Sequence, residues 1–417
     1  MTTSSNIAGF PFFEIEFDAL GLPVSATQTE SLIAWCRQIG ATDLFFLAHG
    51  FRCDAADATD LYTGLLTTLA ANLARPEFAT SAGMKLAIIG VYWPSQPHRE
   101  SYGGTTQPVD TAFAELRSAM PAGALDDAER LLYPAANNRS ARDQFVESVL
   151  RAVDTGHDDP AEGLPLLHEC SGSDLLERLS PPAIDFGGRI DAIPVIAPIL
   201  GGIGTFLNFM SWAAMKRLAG AVGTNGLAET VIACQDQLNK TRIHLVGHSL
   251  GGRLQAACCK ALAAADRPPV DSLSLLEAAF SHYGFSPDAG SGQPGFFRDV
   301  VERRIVRGPI ISTFSKKDSV VGTAYAVASR LAHDNLQAIG DASDTYGGIG
   351  HNGAQRTSES TFTPLHEAGL PYQLQPGIVT CLDGSSGLIS GHGDIVNPHV
   401  TYAISEAITW NARHKPD

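Results

Sequence analysis

"IHLVGHSLGG", residues 243–252, is the stretch on which the reading of this chain turns. Ile243–Val246 is a short apolar run rich in β-branched residues, the pattern of a strand buried in a parallel sheet. Leu250–Ala265 is rich in alanine and leucine and reads as a helix. Ser249 therefore falls on a sharp strand-to-helix turn. Gly247 and Gly251 flank it with the G-x-S-x-G spacing of a nucleophile elbow, where small neighbours let a strained serine stand clear of the sheet. The same turn sets the serine at a helix N-terminus, whose free N–H groups favour developing negative charge.

The rest of the chain is compatible with that reading. At 417 residues it can bury a large core, and 44% hydrophobic with 18% charged residues is ordinary for a globular protein. A formal net charge of −15 argues against nucleic acid or an anionic membrane surface as the main partner. The seven cysteines are scattered, without a C-x-x-C pair, which points to reduced thiols and a cytoplasmic setting. "MTTSSNIAGFPFFEIEF" has no basic region followed by an apolar core, so no signal peptide is expected.

Strands are expected at 12–17, 43–48, 86–93, 243–246, 272–276, 309–314 and 377–382. Helical patterns fall between them at 28–39, 59–75, 139–153, 226–238, 249–265, 320–333 and 399–413. This alternation predicts an α/β fold with a mostly parallel sheet. Residues 94–242 are far too many for one crossover, which needs about a dozen residues or somewhat more. Residues 95–215 are therefore read as a cap or lid insertion within a single domain over 1–417. Its stretch 95–190 is polar, Pro- and Gly-punctuated and weakly periodic, and is expected to be a cap or an irregular excursion. Ala192–Met215 carries no charge and is long enough to span a bilayer. Pro194, Pro198 and internal glycines make it a poor membrane span, and a pocket-lining helix or a mobile lid is expected instead.

A serine nucleophile needs a base, and the base needs an orienting acid. His392 lies in the Gly-flanked loop "SGHGD", just before a helix that Asn397 can cap with Pro398 at its first position. Asp318 follows the apolar run "PIISTF", in a polar turn where it can also cap the next helix. Glu277, after "SLSLL", is the runner-up acid, and Asp394 lies too close to His392 in sequence to come first. Of the other histidines, His399 is expected on a helix surface and His351 on a loop. Two N–H donors should face a developing oxyanion: that of Leu250, next to the serine, and that of Phe51 in "LAHGFRCD", with Arg52 as the alternative. The carboxylates of "DAADATD" (54–60) read as helix N-terminal acids rather than as metal ligands.

With Ser249, Asp318 and His392 in that chain order, and "HGF" after an early strand, the sequence resembles the α/β-hydrolases of the lipase and esterase kind. The motifs span residues 43–400, and "VYWPS" (91–95) and "MSWAAMKRLAGAVG" (210–223) are similar to segments of uncharacterised bacterial hydrolases of this fold. Compared with that family, the gap between acid and histidine is long, implying a smaller insertion around 334–376. The resemblance implies hydrolysis of a carboxylic ester through an acyl-enzyme, with no cofactor and no metal. An acyl or aromatic group would sit against Phe51, His248, Trp93, Phe206, Phe209 and Trp212. Lipase, carboxylesterase, thioesterase and peptidase activities stay open, as does a catalytically silent ligand binder. No nucleic-acid partner and no stable membrane insertion are expected.

Overall fold

The computed structural model describes residues 4–81, 83–95, 108–153, 167–180, 198–238, 240–290, 292–322, 325, 344 and 346–414. The chain forms two compact units. The first comprises residues 1–95, 218–321 and 348–417, and the second residues 96–217 and 322–347.

The first unit is built on a nine-stranded sheet: β1 Ser4–Ile7, β2 Phe10–Glu16, β3 Asp43–Ala48, β4 Leu86–Tyr92, β5 Arg242–His248, β6 Ser272–Leu276, β7 Ile310–Phe314, β8 Ser360–Pro364 and β9 Val379–Asp383. Their order across the sheet is β1-β2-β4-β3-β5-β6-β7-β9-β8. Every neighbouring pair is parallel except the β1·β2 hairpin. The α/β class with a mostly parallel sheet is thus as the alternating pattern predicts. Central strands β3, β6 and β7 are buried along their whole length, which explains their near-continuous apolar sequence. Helices Ala55–Leu73 and Pro398–Arg413 join one core cluster through Tyr62, Leu65, Leu66 and Leu69 on the first and Val400, Ile404, Ala407 and Ile408 on the second. Phe45, Ile88, Val246 and Ile311 of the sheet complete that cluster.

Register decides where chemistry can occur. Ala48 pairs with Gly247, His248 with Leu276, Leu276 with Thr313, and Phe314 with Asp383. The chain therefore leaves β3, β5, β6, β7 and β9 at the same carboxyl edge, where open parallel sheets place their ligands. At the opposite edge lies a buried charge network. Asp43 takes a bidentate pair from Arg242 at 2.5 and 2.7 Å, and His244 bridges Asp43 (3.2 Å) to the Ser272 hydroxyl (2.8 Å).

Three expectations need correction. β1 and β8 are absent from the sequence reading: "SSNI" and "STFTP" are too polar to show an apolar run, and both are edge strands. Residues 348–376 belong to the first unit. The described part of 95–190 is helical, over Pro108–Ser118, Asp126–Leu131, Arg139–Val153 and Gly172–Arg178 among others. In the first of these, buried Val109, Ala112, Phe113 and Leu116 follow i, i+3, i+4, i+7 spacing that the polar residues between them mask. His351 lies in the short helix Ile349–Asn352 instead of on an open loop.

Most of the helix expected at 320–333, and residues 192–197, lie outside the described residues. Pro198–Ala221 is one helix of 24 residues. Among the described residues no helix is long and apolar enough to cross a membrane. All seven cysteines are free thiols. Burial pushes Cys36, Cys259 and Cys381 up to about 12 and Cys53 to about 11, and raises Cys170, Cys234 and Cys258 as well.

Burial acts to raise the Asp43 carboxyl, but hydrogen bonds from His244 and Arg242 outweigh it and hold it at about 2. Because the folded value is depressed, its contribution to stability is complete above a pH of about 4 and is lost as the pH falls towards 2. Asp43→Asn should therefore destabilise the protein by about 3 kcal/mol at neutral pH. Denaturant midpoints should show the gap to wild type narrowing between about pH 5 and pH 3; a gap independent of pH would contradict the charged pair.

Candidate active site

Ser249 caps helix Leu250–Ala264 with φ 56° and ψ −123°, a region that side chains rarely occupy. The turn is imposed by close backbone contacts. A Cβ on Gly247 would meet the Gly251 carbonyl oxygen at 2.2 Å, and one on Gly251 would meet the Ala48 carbonyl oxygen at 2.3 Å. The Ser249 N–H donates to Leu276 O at 3.0 Å, and its carbonyl accepts from Ala279 N at 3.0 Å, so the strained residue is tied to the end of β6. Ser249 as a residue is 5% exposed.

The Ser249 hydroxyl donates to His392 Nε2 at 2.8 Å, and His392 Nδ1 donates to Asp318 Oδ2 at 2.8 Å. Asp318 is fully buried, and its second oxygen accepts from the Val321 N–H at 2.9 Å, so it orients the ring and caps the following turn together. The His392 loop is shaped by Asp394, which accepts from Ser390 N and Oγ at 2.8 Å, and by Asn397, which donates to Leu388 O at 3.1 Å. Asn397 also caps helix Pro398–Arg413 through His399 N and Val400 N, as its position in the sequence suggests. The three residues read from the sequence thus meet in one hydrogen-bonded chain.

The β3 loop lies against this chain. A Cβ on Gly50 would come within 2.8 Å of Ser249 Cβ and 3.3 Å of its Oγ. The Arg52 N–H donates to Ser95 O at 3.0 Å, which removes it as an oxyanion donor. The Phe51 N–H makes no backbone hydrogen bond among the described residues, and Leu250 opens its helix with no intrahelical acceptor. Both candidate donors therefore remain available.

Several residues hold this loop through contacts that carry no signal in the sequence. His49 Nε2 accepts from Trp93 N at 3.4 Å, and its Nδ1 donates to Gly50 O at 3.0 Å. Burial lowers His49 to about 4, keeping it neutral in the tautomer those bonds require. Tyr62 joins the ends of β3 and β4, accepting from His49 N at 3.0 Å and donating to Val91 O at 2.7 Å. Trp93 stacks on the His49 ring at 5.5 Å and donates its indole N–H to His49 O at 3.1 Å, so it braces the loop from within the core rather than standing open as a pocket wall.

His248 Nε2 donates to the His392 carbonyl at 2.7 Å, and burial, followed by the nearby His392, lowers it to about 3. It therefore supports the base loop as a neutral ring. His351 Nδ1 donates to the Asp318 carbonyl at 3.0 Å. A carboxylate oxygen of Glu277 and ring nitrogens of His248 and His392 lie within 4.8 Å of one another, a donor set that suits a divalent cation. Both His392 nitrogens are already engaged by Asp318 and Ser249, so a cation there would have to displace one of them.

Phe206, Phe209 and Trp212 belong to the second unit and are buried there. Phe206 meets Phe145 edge-on at 6.3 Å, Phe209 stacks on Trp212 at 5.8 Å, and Trp212 meets Tyr325 edge-on at 5.5 Å. Clefts of about 300 and 240 Å³ also lie in that unit, lined by residues such as Met120 and Leu125 or Phe113 and Tyr133. Neither lining includes a histidine or a cysteine.

The elbow can be tested through its strain. Ser249→Gly should melt at a higher temperature than Ser249→Ala, because relief of a positive φ is worth about 1 kcal/mol net of glycine's entropy. Gly50→Ala should cost on the order of 10²-fold in kcat by pushing the donor loop off Ser249 while the fold survives. Equal melting of the two Ser249 variants, or an unimpaired Gly50→Ala, would contradict this geometry.

No family model matches this chain, and no curated protein or solved structure matches it.

Proposed function

We propose that the protein is a serine hydrolase of the α/β-hydrolase type that cleaves carboxylic esters through an acyl-enzyme. The observation that carries this reading is the chain Ser249 Oγ, His392, Asp318, with both links at 2.8 Å, hung on a left-handed turn at the carboxyl edge of a parallel sheet. The order Ser, Asp, His along the sequence, and a donor loop after an early strand, support the same family.

In this mechanism Ser249 Oγ attacks the ester carbonyl as its proton passes to His392 Nε2. Asp318 holds the ring in the required tautomer and stabilises the imidazolium. The carbonyl oxygen, now an oxyanion, accepts from the Leu250 and Phe51 N–H groups. Collapse expels the alkoxide, which takes the proton from His392 and leaves as the alcohol. Water then attacks the acyl-serine through the same base, releasing the acid and restoring the Ser249 hydroxyl. Every step uses groups of the chain and water.

The buried Ser272–His244–Asp43 chain has the same residue types but cannot do this. All three side chains are fully buried at the amino edge of the sheet, and Asp43 is committed to Arg242. It serves stability.

A fluorophosphonate should label wild type at Ser249 and leave Ser249→Ala unlabelled. On p-nitrophenyl esters of increasing chain length, Ser249→Ala should lose on the order of 10⁴-fold or more in kcat while remaining folded. Retained hydrolysis, or a folded wild type inert to the label, would overturn the reading. A thioester and a peptide substrate run beside the esters would decide among acyl-transfer classes.

A further inference from the structure

Glu277 sits inside the site without a partner. It follows β6 with φ 45°, its side chain is fully buried, and neither carboxyl oxygen has a hydrogen-bond partner. Two costs fall on this position at once, a left-handed backbone and an unsatisfied buried polar group. A leucine or methionine would avoid the second. Yet one Glu277 oxygen lies within 4.8 Å of a ring nitrogen of His392, the imidazole that Asp318 holds from the next strand.

We propose that Asp318 and Glu277 form a carboxyl pair around His392 that shares a single negative charge, with Asp318 carrying it and Glu277 held protonated in reserve as a second positioning residue. The proposal rests on the hydrolase reading of Ser249. Like charges crowded around one site cannot both ionise, and the better-bonded carboxyl keeps the charge. Asp318 has donors from His392 Nδ1 and Val321 N, whereas Glu277 has none. Facing Glu277 are the carboxylates of Asp318 and Asp394 and the rings of His248 and His392, with His351 and Lys316 behind Asp318. Burial first, then Asp318 and Asp394, push the Glu277 carboxyl up to about 10.

Loss of the Asp318 charge removes one of those two repulsions. Glu277 can then release its proton to solvent at a lower pH, and its carboxylate accepts the imidazole N–H that has lost its acceptor. The ring is reoriented by a different acid, and no other atom or electron moves.

The test is a double-variant cycle: wild type, Asp318→Asn, Glu277→Gln and the double variant, each measured for kcat/KM on a p-nitrophenyl ester and for fluorophosphonate labelling from about pH 6 to 9.5. An orienting acid with no replacement costs on the order of 10⁴-fold, so with Glu277 in reserve Asp318→Asn should lose only about 10²-fold and recover as the pH rises. Glu277→Gln should cost at least about tenfold more in the Asp318→Asn background than in wild type, and should flatten the alkaline recovery. Equal losses in both backgrounds, with unchanged pH profiles, would overturn the proposal. Should the double variant fail to fold, the Asp318→Asn profile decides alone: no rise towards alkaline pH refutes it. Failure of wild type to label would instead count against the hydrolase reading itself.

Discussion

The contact on which the site depends is between backbones. Helix Leu250–Ala264 is pressed so closely onto β3 and β5 that Gly251 has the Ala48 carbonyl where a side chain would begin, and Gly247 has the Gly251 carbonyl. With both neighbours confined to glycine, the residue between strand and helix must turn through a left-handed conformation, and Ser249 occupies it. The same approach brings the β3 loop to Ser249, since Gly50 has no room for a methyl group there. The strained Ser249 turn, the helix N-terminus and the approach of the Gly50 loop are thus three consequences of one packing constraint. His392 and Asp318 join Ser249 from the ends of neighbouring strands through their hydrogen bonds.

Two Ser–His–Asp chains in one molecule show how little residue type alone decides. Ser272, His244 and Asp43 stand at the strand starts, dry and locked to Arg242. Ser249, His392 and Asp318 stand at the strand ends, where loops rather than pleats hold them and the serine and histidine keep some exposure. The first arrangement orders the sheet, and the second stands at the edge where open parallel sheets place their ligands. Position relative to the sheet separates them, together with the presence of unspent N–H groups beside one serine.

The parts legible in the sequence were those written in local pattern. Apolar runs marked β3, β6 and the elbow strand, and glycine spacing marked Ser249. Asn397 and Pro398 announced the helix after the His392 loop. What escaped depends on contacts between distant segments. β8 is a polar edge strand whose identity comes only from pairing with β9. His49, Tyr62 and Trp93 brace the donor loop through bonds across as many as 44 positions, which no periodicity records. The i, i+4 stripe of Pro108–Ser118 was present in the residues but diluted by the charges around it. Glu277 was visible as an acid after a strand; its lack of any donor belongs to the packing alone.

The seven cysteines give the molecule a further property. Each thiol is raised above its ordinary value, five of the residues are buried, and none is disulfide-bonded. At neutral pH they are held as the protonated, poorly nucleophilic form. An electrophile entering this protein therefore finds its sulfur muted, while one hydroxyl is already hydrogen-bonded to an imidazole. Thiol alkylators and mild oxidants should leave the five buried cysteines largely unmarked, and that selectivity between soft and hard electrophiles is built into the way the core is filled.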